Sequence, residues 1–428
     1  MTTSNTTPLS LFDRVESKVR SYSRSFPKMF DRAKGATLFD TTGRPFTDFL
    51  SGCSSLNYGH NDPDLKAALI DYVSKDGIAH GLDMFTDAKR KFLTCFERHI
   101  LRPRGLDYQV QFTGPTGANA VEAAIKLARK VTGRNNVIAF TNGFHGVTLG
   151  ALAATGNSKH RAGAATPLTG VTRAAYDGYH GTDTDTAEQL ERQLSDPSSG
   201  IDAPAAIIVE TVQGEGGLNA ASRDWLLSIE AIARRHGAIF IVDDIQAGCG
   251  RTSGFFSFEG MGLSPDIITM AKSLSGMGLP LAVTLIKPEY DIWKPAEHNG
   301  TFRGNNHAFI TAAAAIEKFW ADEQFASEVS RKADYLNERL VAIAFRHDLR
   351  VKGRGMMLGV ETPDGETAAM ICRRCFERGL IIETSGSFDE VVKVLAPLTI
   401  SIDQLSAGLD TLEAAFASVM GAHLAVAE

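Results

Sequence analysis

Three apolar runs, each closed by an ionisable side chain, constrain this chain more than any other feature. They are "APAAIIVE", "AIFIVDD" and "DIITMAK", which end in Glu210, in Asp243 and Asp244, and in Lys272. Continuous apolar runs set between helical patterns belong to a mainly parallel sheet covered on both faces. The helical patterns are clear. "NAVEAAIKLARKVTG" ends at Gly133, and "RDWLLSIEAIARRHG" ends at Gly237 and carries Trp225, Leu226, Ile229, Ile232 and Ala233 on one face. In such a sheet, ligands bind outside the carboxyl ends of the strands. A lysine at the end of a buried run must lose its charge, find an anion or form a covalent bond. A snorkelling surface lysine is the plain alternative for one run. Three runs ending this way point to a site.

At 428 residues the chain is long for a single core. Three parts are expected: an N-terminal segment, 1–60, that packs with a small domain; a large α/β domain, 61–310; and the small α+β domain itself, 311–428. Within the first part, residues 26–52 read as short strands around a Thr-Thr-Gly turn. A net charge of −6 leaves no basic footprint for nucleic acid and favours small-molecule substrates. No apolar run approaches the roughly 20 residues of a membrane span. The start, "MTTSNTTPLSLFDR", lacks a basic-then-apolar secretory pattern. Five scattered cysteines argue for a reducing compartment, so a cytoplasmic location is expected. Cys372 and Cys375 have metal-ligand spacing but no second pair, and they fall in a helical pattern. They read as structural, and no metal is expected.

Two further stretches bear on the strand ends. "FTGPTGANAVEAAIKLAR" sets Thr116, Gly117 and Ala118 at a helix start, where free N–H groups and the helix dipole favour a phosphate. An ordinary capped turn is the other reading. "TNGFHGVTLG" sets Phe144 and His145 between glycines, where an aromatic can cover a planar ring or pack in the core. One cofactor uses all of these: pyridoxal 5′-phosphate. Lys272 supplies the amine that its aldehyde condenses with, Asp243 the anion against the pyridine nitrogen, and Gln246 a bond to the ring oxygen.

With these residues in place, the motifs "IVDDIQAGCGRT", "PDIITMAKSLSGMGLPLA", "ETVQGEGG" and "NGTFRGNN" resemble the class III aminotransferases, pyridoxal-phosphate enzymes of fold type I. The likeness runs from "GATLFDTTGRPFTDFLSG" to "APLTIS". It implies a homodimer or larger assembly with shared active sites. By this resemblance Lys272 is the cofactor-binding lysine, Asp243 the ring-nitrogen partner, and Gln246 the group at the ring hydroxyl. Phe144 stacks on the ring with His145 beside it, and Thr116, Gly117 and Ala118 form the phosphate cup. Thr301 reaches the phosphate from the neighbouring subunit. Glu210 and Glu215 are acidic residues beside the cofactor, and the Glu215 position pairs with an arginine when the substrate has no α-carboxylate. The expected arginine is Lys393 here, a point charge rather than a fork. Arg24 is a second candidate cation. Pro115 and Asn119 also depart from the usual cup.

The stretches "LNYGHNDP", "DGIAHGLDMFT" and "GLIIETSGSFDEVVKVLAPLTI" resemble one branch of the family. That branch moves the amino group of L-glutamate to L-aspartate 4-semialdehyde, giving L-2,4-diaminobutyrate and 2-oxoglutarate as the first step of ectoine biosynthesis. Another ω-aminotransferase, serving a siderophore or peptide or acting on amines like ornithine, keeps the same motifs. So does an aminomutase, racemase or decarboxylase on this fold.

Overall fold

The computed structural model describes residues 9–426. Residues 1–8 of the expected N-terminal segment, and 427–428 of the C-terminal part, lie outside the described residues. The large sheet has seven strands, in the order Gln109–Phe112, Val283–Ile286, Ile267–Met270, Ile239–Asp243, Pro204–Val209, Asn136–Phe140 and Val171–Ala174. Val283–Ile286 runs antiparallel to both of its neighbours, and the other strands share one direction. Alternate residues serve opposite faces. Val137, Ala139, Ile208 and Ile241 pack with Val121, Ile125 and Leu127 of the helix Gly117–Thr132. Ile138, Phe140, Ile207 and Phe240 pack on the other side with Trp225, Leu226 and Ile229 of the helix Arg223–Arg235. Burial on both faces is why these strands read as unbroken apolar runs.

Two smaller sheets flank the carboxyl ends of these strands. One is antiparallel, in the order Arg350–Arg354, Met357–Glu361, Val391–Val394 and Glu383–Ser385. The other joins the N-terminal strands Phe30–Lys34, Thr37–Asp40 and Pro45–Asp48 to the late strand Leu380–Ile381, through Thr47 against Leu380 and Asp48 against Ile381. Cys372 and Cys375 lie in the helix Gly365–Glu377, with Cys375 fully buried.

Between the N-terminal strands and the large sheet, Ser51, Gly52, Cys53 and Ser54 all take left-handed backbone, with φ of 49°, 55°, 55° and 67°. Only one of the four is glycine, so the other three each carry a cost of about 1–2 kcal/mol. Hydrogen bonds hold the turn. Asp48 Oδ1 accepts from the amides of Leu50 at 2.9 Å and Ser51 at 2.8 Å. Ser273 Oγ donates to the Ser54 carbonyl at 2.6 Å and accepts from the Asn57 amide at 2.9 Å.

Arg251 ties together segments far apart in sequence. Its guanidinium is fully buried and donates to the carbonyls of Met356 (3.2 Å) and Ala396 (2.6 Å) and to Asn57 Oδ1 (2.6 Å). Burial pulls its pKa down to about 9. Removing it strands three buried acceptors. Arg251→Met is therefore expected to cost about 3 kcal/mol in urea unfolding, with Arg251→Lys recovering only part because lysine has no fork. Unchanged midpoints would contradict this role.

Candidate active site

Three neighbouring strands of the large sheet end side by side. Asp243 closes Ile239–Asp243, Glu210 follows Pro204–Val209, and Lys272 follows Ile267–Met270. Together with the start of the helix Gly117–Thr132, they line a cavity of about 370 Å³. Thr116, Gly117, Ala118, Phe144, His145, Glu210, Glu215, Asp243, Gln246 and Lys272 all lie in its wall.

Strand pairing supports Asp243. Its register partner Thr269 donates a hydroxyl hydrogen bond to Oδ1 at 3.0 Å, and the Ile245 amide donates to the same oxygen at 3.3 Å. Oδ2 meets His145 Nδ1 at 2.7 Å. Burial pushes the His145 pKa down, but the bond to Asp243 and the charges of Asp243 and Glu210 outweigh it, and the net shift is upward. Glu210 accepts from the amides of Phe144 at 2.8 Å and Gly214 at 3.2 Å. Burial raises its carboxyl to about 7 against the pull of His145.

Lys272 itself has left-handed backbone, with φ of 50°. Its Nζ donates to the Cys53 carbonyl at 2.9 Å, so the strained turn described above positions it. Gln246 Nε2 donates to Glu215 Oε1 at 3.0 Å, while Gln246 Oε1 is buried without a partner. At the helix start, Asn119 Oδ1 accepts from both the amide (3.3 Å) and the hydroxyl (2.9 Å) of Thr116. Asn119 thus fixes Thr116 at the place where the motif departs from the usual one.

Two sequence candidates lie elsewhere. Thr301 sits on an exposed turn, where its carbonyl meets His80 Nε2 at 2.8 Å, outside the cavity of its own chain. Arg24 also lies outside. Its guanidinium donates to the carbonyls of Arg20 (3.0 Å) and Lys18 (3.0 Å), because its short helix Tyr22–Ser25 presents Tyr22 to Cys53 instead. The cation that meets Glu215 is Lys393, one of the two candidates. Lys393 is fully buried behind the cavity wall, with Nζ 3.1 Å from Glu215 Oε1 and 3.0 Å from Glu383 Oε1. Burial pushes its pKa down, but the two carboxylates outweigh it and the shift is upward. Burial also pushes Glu215 up, yet Lys393, Lys272 and the Gln246 bond bring it down to about 2.

Sequence reasoning missed Glu383, Cys53 and Ser55, which joins the cavity wall. A signal for Glu383 was present. "LIIE" is a short apolar run ending in an acid, the same pattern as the longer three. A second cavity, of about 240 Å³, meets the first at Phe144 and Glu215 and has Asn142, Asn157, His160 and Ser385 in its wall.

This fold and this arrangement define an α/β enzyme built to hold a charged, planar cofactor. The class III aminotransferase family model matches residues 19–416, and the chain belongs to that family. It is 55% identical over 418 residues to an uncharacterised aminotransferase of Sinorhizobium fredii, covering 97% of this chain and 93% of the relative. It is 54% identical over 416 residues to a diaminobutyrate–2-oxoglutarate transaminase of Bordetella parapertussis, covering 96% of each. The ornithine aminotransferase structure from Toxoplasma gondii ME49 superposes with a TM-score of 0.83 at 25% identity, over 96% of this chain and 94% of that one.

The family's cofactor is pyridoxal 5′-phosphate, and the residues present fit it. The unpartnered Oε1 of Gln246, the carboxylate of Asp243, the amine of Lys272 and the start of a 16-residue helix face one cavity of suitable size.

Asp244, next to Asp243, gives a test of the local electrostatics. It accepts from the Ser257 amide at 3.2 Å, and burial raises its carboxyl to about 7. A raised carboxyl contributes stability that is present below the unfolded value and lost as pH climbs from about 4 towards 7. Asp244→Asn should therefore gain on the wild type across that window, by up to about 1.4 kcal/mol per pH unit in urea unfolding. A pH-independent difference would contradict the shift.

Proposed function

We propose that this chain moves the amino group of L-glutamate to L-aspartate 4-semialdehyde, releasing 2-oxoglutarate and L-2,4-diaminobutyrate. The observation that carries the substrate assignment is the 54% identity with the Bordetella enzyme, maintained over 96% of both chains. When bound, pyridoxal phosphate carries the amino group between the substrates and takes up the electron pair released at the reacting carbon.

The chain's own residues do the rest. Thr116, Gly117 and Ala118 hold the phosphate at the helix start, and the partner subunit's Thr301 completes that site. Asp243, oriented by His145 and Thr269, would hold a proton on the ring nitrogen. Gln246 would bond the ring oxygen and Phe144 would cover the ring, with Glu210 orienting the Phe144 backbone. Lys272 Nζ removes and returns the proton at the reacting carbon, and the Cys53 carbonyl keeps it within reach. Glu215 gives up Lys393 to the α-carboxylate of glutamate. It takes Lys393 back when the semialdehyde enters, since that substrate has no carboxylate on its reacting carbon. The polar wall of the adjoining cavity suits the distal ammonium and carboxylate of the semialdehyde.

Thr301 lies beside exposed Phe302, and His80 links this turn to the segment bearing exposed Leu82, Met84 and Phe85. A homodimer covers such surface, and it brings Thr301 to the neighbouring site. The large domain spans 61–310, and the small domain, 311–428, takes in the N-terminal segment through the Thr47–Leu380 pairing. No helix among the described residues is long and apolar enough to cross a membrane. The product feeds ectoine biosynthesis in the cytoplasm.

Incubated with glutamate and aspartate 4-semialdehyde, the purified protein is expected to form diaminobutyrate and 2-oxoglutarate in equal amounts, as measured by chromatography. Lys272→Ala is expected to form neither. Turnover with a different amino acceptor and none with the semialdehyde would overturn the substrate assignment. In light scattering the wild type should have at least twice the mass of one chain, and Phe302→Asp should shift it towards one. A monomeric wild type would contradict the shared site.

A further inference from the structure

Lys393 has two carboxylate partners of different kinds. Glu383 lies directly opposite it in the antiparallel pairing of Glu383–Ser385 with Val391–Val394, so backbone register fixes that contact at 3.0 Å. Glu215 reaches Lys393 at 3.1 Å from a turn between the two-residue strands Val212–Gln213 and Asn219–Ala220. The environments differ as well. The Glu383 side chain is 11% exposed and lies behind the cavity, against Cys53, whereas the Glu215 side chain keeps 30% of its surface and lies in the cavity wall.

A charged lysine with no exposed surface cannot be left without an anion, because water does not reach it to replace the lost partner. If Glu215 were its sole partner, every departure of Glu215 would leave a bare buried ammonium, and the pair would stay shut. With Glu383 in place the ammonium stays paired throughout. Two carboxylates on one ammonium also repel each other, which loosens the one that is free to move.

We propose that Glu383 is a positioning residue that makes Glu215 exchangeable: it is the permanent partner of Lys393, and it lets the α-carboxylate of the amino donor take the place of Glu215. This rests on the two-substrate reading above and adds the group that makes the alternation possible. Glu383 does not touch substrate. It acts through Lys393.

The test separates the two half-reactions. Enzyme loaded with cofactor is mixed in single turnovers with glutamate, or with 2,4-diaminobutyrate, and the absorbance change is followed. Glu383→Gln is expected to lower the rate constant over apparent affinity for glutamate by about tenfold or more, and that for diaminobutyrate by less than about threefold. Glu383→Asp, which keeps the charge, should recover most of the loss. A purely structural role would slow both half-reactions together. Equal losses, or no loss, would overturn the proposal.

A second readout does not depend on turnover. A crystal structure of the wild type with glutarate should show Glu215 displaced while Glu383 stays within ion-pair distance of Lys393, and Glu383→Gln should leave Glu215 in place. Departure of Glu383 together with Glu215 would also overturn it. If wild-type enzyme ignores diaminobutyrate but answers another terminal amine, the substrate reading has failed. The same asymmetry must then appear between glutamate and that amine for the role of Glu383 to stand.

Discussion

A charge taken out of water must be given a partner, and the site is organised around that requirement. Asp243, Glu210 and Lys393 are buried and Lys272 is half-buried, and each has its ionisable group met by a specific partner. Asp243 is met by Thr269 and His145, Glu210 by two amides, Lys272 by the Cys53 carbonyl, and Lys393 by two carboxylates. These partners come from every part of the chain, so the site exists only when the three sheets are docked.

The docking is itself polar. Asn57 accepts from Arg251 and donates through its amide to Ser273, and Ser273 in turn fixes the Ser54 carbonyl. The left-handed turn Ser51–Ser54 is thus tied to the residue that follows Lys272. Strain in three non-glycine residues is held by hydrogen bonds that a relaxed turn would not make. The consequence is positional. The one carbonyl that meets Lys272 Nζ is delivered from a segment more than two hundred residues away in sequence.

Much of the architecture was legible because burial leaves a local trace. Strands covered on both faces must be apolar throughout, so "AIFIVDD" and "DIITMAK" announce both the sheet and the place where it stops. Glycine and threonine likewise mark the start of the helix Gly117–Thr132. What was not legible depends on contacts with no local signature. The left-handed turn has Gly52 as its one clue, since Ser51, Cys53 and Ser54 carry no preference for that backbone. The run that ends in Glu383 shows in the sequence, but its meeting with Lys393 follows from strand register, which no spacing encodes. Arg24 looked like a candidate by charge alone, and its neighbour Tyr22 is the residue that turns towards Cys53.

The central claim is that Lys272, at the end of its strand and under the Cys53 carbonyl, is the residue that engages the cofactor. Reduction of the purified, cofactor-loaded protein with borohydride, followed by proteolysis and mass spectrometry, tests it directly. The expected result is a stable pyridoxyl adduct on Lys272 and on no other lysine. An adduct on Lys393 or elsewhere, or a protein that retains cofactor yet yields no adduct, would contradict the account.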